Sequence, residues 1–125
     1  MKTEIDLVKK WLDAMNEHNV DKMSSLCSEG AVGDEVADPP PAQGRDQIAK
    51  SYQELFKGFS DSKAEILNIF FGKGQVLAEV RWSGTNRAEF RGTPPTGRFV
   101  DIRIAYVFKI EKGKISRITE YYDGA

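Results

Sequence analysis

Residues 100–110 constrain the fold most. The even positions Val100, Ile102, Ile104, Tyr106, Phe108 and Ile110 are apolar, while the odd positions carry Asp101, Arg103, Ala105, Val107 and Lys109. A period of two sustained this long predicts a strand with one buried and one mostly wet face. The turn 92–98, with Pro94 and Pro95, precedes it, and a tight hairpin at Gly113 leads into a last strand. On that last strand Ser116, Ile118, Glu120 and Tyr122 share a face, and Arg117, Thr119 and Tyr121 take the other.

Upstream, 64–71 and 76–82 flank a Gly72-Lys-Gly-Gln75 turn and predict a hairpin, with Val76, Ala78, Val80 and Trp82 on one face. After Gly84-Thr85-Asn86 the chain is expected to run on, extended, to Arg91. The first sixty residues read differently. Thr3 and Asp6 form a capping pair before a helix whose Ile5, Val8, Trp11, Leu12 and Met15 share a face. Asn19 caps a short second helix carrying Val20, Met23, Leu26 and Cys27, which ends before Gly30. The segment 31–43, with Asp34, Glu35, Asp38 and three prolines, reads as a short strand and then a loop. A third helix over 45–59 aligns Ile48, Tyr52, Leu55, Phe56 and Phe59. Helices first and strands later predict a segregated α+β fold with an antiparallel sheet. The 125 residues suit one domain, 1–125, with no repeat or linker.

A formal net charge of -1 gives no general attraction to nucleic acid or an anionic membrane, so a small, neutral or weakly charged partner is expected. One cysteine and one histidine cannot build a zinc site, and no calcium loop appears, so neither metal nor cofactor is expected. The single Cys27, the lack of a membrane-length apolar run and a start without an export signal point to the cytosol. Arg81, Arg87, Arg91, Arg98 and Arg103, interleaved with Glu79, Glu89 and Asp101, read as a solvated, ion-paired sheet face. His18 reads as a residue at the first helix's exit, and Cys27 as core. Ala105 and Val107 on the outer face, with Phe99, favour a homodimer.

The ending Gly84–Asp123 resembles the SnoaL-like polyketide cyclase branch of the nuclear-transport-factor-2-like superfamily. The resemblance implies helices packed in a strongly curved antiparallel sheet, a cystatin-like cone, with an apolar pocket lined by the first helix, the first-strand loop and the concave sheet face. It implies Trp11, Asp38, Tyr52, Trp82, Asn86 and Tyr122 as substrate-binding residues. The first 35 residues are also similar to ketosteroid isomerase. That likeness puts Glu35 at the position of an aspartate base, Trp11 at that of an oxyanion-binding tyrosine, and Tyr106 near that of a protonated aspartic acid. In the cyclases an acid near the chain's end acts as acid and base; Glu120 or Asp123 fills that place. The ending Glu120–Asp123 is similar to that of limonene-epoxide hydrolases, but Asp101 and Arg103 have the wrong parity for their relay.

These readings converge on a cofactor-free acid–base cyclase or isomerase acting on a small hydrophobic carbonyl compound. Glu35 or Glu120 would take the proton, and Tyr106, Tyr122 or Trp11 would donate to the oxyanion. The alternative is a non-catalytic ligand-binding or dimerisation domain of the same fold. In its favour, the indole of Trp11, and Asn86 where the family often shows histidine, cannot shuttle a proton.

Overall fold

The computed structural model of the chain describes residues 2–123. Helix α1 (Lys2–Asn16) turns Val8, Trp11, Leu12 and Met15 to the interior, as their spacing predicts. It begins ahead of Thr3, so Thr3 lies within the first turn and not at a cap. Asn16 ties the far end of α1 to the sheet, donating to the Ala64 carbonyl (2.9 Å) and accepting from its amide (2.6 Å).

Helix α2 (Val20–Ser25) is capped by Asn19, whose Oδ1 accepts from the Lys22 amide at 3.1 Å. The helical stripe was expected to reach Cys27, but Cys27 opens strand β1 (Cys27–Glu35). The reason lies in pairing: the Ile115 amide donates to the Leu26 carbonyl (3.0 Å) and draws the chain into the sheet. Cys27 is still core, and burial pushes its thiol up to about 11.

Strand β2 (Ala42–Gln43) folds back on β1 after the proline-rich loop, and helix α3 (Arg45–Gly58) follows. His18 is neither a free surface residue nor a simple helix-end charge. Its ring stacks flat on Phe56 of α3 with centroids 4.3 Å apart, and its Nε2 lies 3.0 Å from the Ser62 carbonyl. Strands β3 (Lys63–Gly72), β4 (Gln75–Thr85), β5 (Phe99–Glu111) and β6 (Lys114–Tyr121) complete the chain.

The six strands form one sheet in the order β2-β1-β6-β5-β4-β3. The expected α+β arrangement holds, with one difference. The hairpins β3–β4, β4–β5 and β5–β6 are antiparallel, but β1 lies beside β6 in parallel, so the sheet is mixed. Register breaks between Ile66 and Asn68, between Lys109 and Ile110, and between Cys27 and Val32 add local bend and twist, which curves the sheet around α1 and α3. The closest approach is at Gly33, where a Cβ would meet Ile48 Cγ1 of α3 at 2.9 Å. Val76, Ala78, Val80, Ile104, Tyr106, Phe108 and Ile118 form the buried concave face. On the convex face Arg81 pairs bidentately with Asp101, at 2.9 and 2.7 Å.

The expected extension of β4 to Arg91 is not formed. Both the Thr85 amide and its hydroxyl donate to the Asp61 carboxylate (2.7 Å each) and end the strand. Residues 86–98 then make a loop held from inside by Asn86, whose Oδ1 accepts from the Thr96 amide (2.8 Å) and hydroxyl (3.1 Å). Among the described residues no helix is long and apolar enough to cross a membrane.

Candidate active site

The core stops short of filling the cone. A cavity of about 960 Å³ remains between α3, β1, the concave face of β4–β6 and loop 86–98, a size suited to a small organic molecule. Leu55, Phe59, Trp82, Val100, Ile102 and Ile104 supply apolar wall. The polar part is concentrated where β1 meets β6. There Glu35 and Glu120 are direct register partners on the parallel ladder, so both carboxylates reach the same concave side.

Their surroundings differ. Glu120 accepts a hydrogen bond at Oε1 from the hydroxyl of Tyr52 on α3. Its carboxyl is pushed up to about 7, first by burial; the Tyr52 bond opposes the shift, the Glu35 charge adds to it, and Arg91 opposes it. The surface that Glu120 retains faces the cavity. Glu35 accepts from the Tyr122 hydroxyl at Oε2 and from Arg91 Nη2 at Oε1, the latter at 2.9 Å. Arg91 also pairs with Asp38 through Nη1, donates to Ser51 Oγ at 3.3 Å, and lies 4.6 Å from the Phe90 ring centroid.

Three phenols point at this acidic floor. Burial, followed by the Glu120 charge, raises Tyr52 and Tyr106 well above the ordinary phenol range. Burial and the bond to Glu35 raise Tyr122. All three therefore act as donors and not as phenolates near neutral pH. The Tyr106 hydroxyl lies 4.0 Å from Met15 Sδ, a weak acceptor, and within hydrogen-bond reach of Tyr52.

The structure therefore brings Glu35, Glu120, Tyr106, Asp38, Tyr52, Trp82 and Tyr122 to one cavity, and two residues expected there lie elsewhere. Trp11 is fully buried behind the wall, packed edge-on against Tyr52 (5.4 Å) and Tyr106 (5.9 Å). It supports two phenols from the rear, because α1 turns that face to the core. Asn86 borders a smaller side cavity and spends its amide within its own loop, with Nδ2 donating to Ala88 (2.9 Å). Asp123 sits exposed at the rim. Asp101 and Arg103 point outward, as their parity predicts.

Arg91 is the cavity-lining residue that the pattern of charges misassigned. The interleaved arginines read as one sheet face, yet Arg91 leaves the sheet altogether and reaches back to β1. The signal available was Gly92 ahead of Pro94 and Pro95, which marks a loop tip and not a strand, and in the structure Arg91 and Gly92 both take positive φ (49° and 80°).

A curved sheet wrapped around helices that leaves a cavity is the nuclear-transport-factor-2-like, or cystatin-like, α+β architecture. The model of the SnoaL-like polyketide cyclase family matches residues 5–125, and the chain belongs to that family. Among solved structures, a provisionally assigned SnoaL-like polyketide cyclase from Jannaschia sp. CCS1 superposes with a TM-score of 0.90 at 19% identity, over 98% of this chain and 86% of that one. A provisionally assigned hydroxylase from Streptomyces galilaeus gives 0.84 at 19% identity, over 98% and 90%. A protein of ketosteroid isomerase-like fold from Catenulispora acidiphila, solved with trimethylamine, gives 0.80 at 17% identity, over 94% and 85%.

Proposed function

We propose that the chain is a general acid–base enzyme, a cyclase or isomerase, acting on a small hydrophobic carbonyl compound without a cofactor. The observation that carries this reading is the placement of Glu120 beside Glu35 at the polar end of an otherwise apolar cavity. A carboxyl pushed up to about 7 is matched to proton transfer at neutral pH. Ionised Glu120 takes a proton from the carbon next to the carbonyl, and the electron pair moves onto the carbonyl oxygen. Tyr106 donates to that oxyanion. In a ring closure the enolate carbon then adds to a second carbonyl of the substrate, whose π bond breaks, and Glu120 returns its proton to the alkoxide formed there; in a double-bond shift it returns the proton to the far carbon of the conjugated enolate. Glu35, braced by Tyr122 and Arg91, fixes the electrostatics of the floor, while Phe59 and Trp82 hold the apolar body of the substrate.

The test is hydrogen–deuterium exchange next to the carbonyl in a panel of hydrophobic ketones and β-dicarbonyls in D2O, followed by proton NMR. Exchange by the wild type that Glu120→Gln abolishes is the expected result. Ligand binding without exchange favours the second reading, a binding domain of the same fold. Two observations support that alternative: neither Trp11 nor Asn86 offers a proton relay, and a structural neighbour is solved with a small amine.

The convex face carries Phe70, Leu77, Val107 and Tyr121, with Phe70, Leu77 and Val107 in one cross-strand row. We infer that a second copy of the chain covers this apolar stripe, giving a homodimer.

A further inference from the structure

We propose that Arg91 holds the charge on Glu35 at the cavity floor, and so leaves Glu120, not Glu35, as the proton-exchanging group. This deepens the acid–base reading above and concerns the division of labour within that site. The two carboxylates are register partners on adjacent strands, and two like charges held so close resist ionising together. Burial raises Glu120 first, and the groups around each carboxylate separate the two further. Glu35 of β1 has a cation, Arg91, at 2.9 Å, and the Tyr122 hydroxyl. Among the described residues, Glu120 of β6 has Tyr52 from α3 as a direct donor and Tyr106 from β5 alongside, with the charges of Glu35 and Arg91 acting on it at longer range. The carboxylate with the guanidinium keeps the charge, and the other takes the proton.

Arg91 is well placed for this role because loop 86–98 delivers it from outside the sheet. Its Nη1 is occupied by Asp38 and its Nη2 also reaches Ser51, so two groups, on the loop after β1 and on α3, fix the guanidinium against Glu35. Arg91 thus acts through Glu35 as a positioning residue, not through contact with the reacting atoms.

The experiment is a carboxyl-carbon NMR titration from pH 4 to 9 of the full chain, labelled at the glutamate side-chain carbon. The Glu35 and Glu120 signals are identified from the Glu35→Gln and Glu120→Gln variants. The wild type is expected to show Glu120 titrating near neutrality. In Arg91→Gln the Glu35 midpoint rises by a unit or more, because its cation at 2.9 Å is lost, while Arg91→Lys, which keeps a cation, stays close to the wild type. A folded Arg91→Gln in which the Glu35 midpoint does not rise overturns the proposal. If Arg91→Gln does not fold, Arg91→Met, which keeps the apolar stem without the charge, is read in the same way, and an unmoved Glu35 overturns the proposal. No readout uses a substrate. A chain that turns nothing over can therefore pass this test, and an active one can fail it.

Discussion

Tyr52, on the buried side of α3, donates its hydroxyl to Glu120 on the last strand, so a helix and a strand 68 positions apart in sequence meet at one titrating carboxyl. The bond favours the charged form of Glu120 and opposes the burial that raises it. In Tyr52→Phe the carboxyl loses that donor and titrates about one unit higher, a change of about 1.4 kcal/mol. The rising limb of the pH–rate profile for proton exchange then moves to more alkaline pH by the same amount, and stopped-time NMR across pH 5–10 measures it.

Glu120 also links stability to pH. Its folded-state value of about 7 lies above the ordinary 4.5, so the folded protein holds this proton more tightly than the unfolded chain does. The contribution is fully present below about 4.5, falls as pH rises towards 7, and is gone above it. The swing is on the order of 3 kcal/mol. Glu120→Gln removes the swing, so urea denaturation should find the variant more stable than the wild type at pH 8, with the gap closing at pH 4.5. The same substitution lowers proton exchange by about 10²–10⁴-fold.

The loop that carries Arg91 depends on Asn86, a buried amide with partners at Thr96 and Ala88. Asn86→Ala leaves those backbone groups without their side-chain partner and costs about 1–3 kcal/mol. Because the damage is confined to the cavity's side, KM for a carbonyl substrate should rise more than kcat falls. Steady-state kinetics with chemical denaturation separate the two effects.

Much of the architecture was legible in the chain, and the reasons are local. The alternation of 100–110 and 76–82 assigns inner and outer faces without tertiary knowledge, and the inward set recurs in the core. Glu120 was readable as an inward carboxylate by its parity with Ile118 alone. Other features had no local signal. Cys27 fits a helical stripe equally well, and only the distant amide of Ile115 makes it a strand residue. Trp11 fits the position of a ligand-touching residue, yet the side of α1 it occupies faces the core. The parallel β1–β6 pairing, which creates the carboxylate pair, depends on how the whole sheet closes, and no short window of sequence encodes that.

Leu77 and Val107 face each other across β4 and β5 at the centre of the convex stripe. A charge placed there should split a dimer without disturbing the concave side. Leu77→Glu is expected to halve the mass seen by sedimentation velocity while circular dichroism stays unchanged. A wild type that sediments as a monomer at high micromolar concentration rules the homodimer out.

The pairing of β1 with β6 has a kinetic consequence. Strands β3 to β6 join through successive hairpins, whose contacts close short loops. Asp34 and Arg117 of the β1–β6 seam, 2.8 Å apart, close a loop of 83 residues. That closure carries the largest entropic cost of ordering in the sheet and belongs to the late, high-contact-order part of folding. Partly folded chains can therefore hold an almost complete sheet while Glu35 and Glu120 are still apart. The appearance of a carboxyl titrating near neutrality thus reports the final step of assembly, and a refolding experiment that follows that proton times the closing of the seam directly.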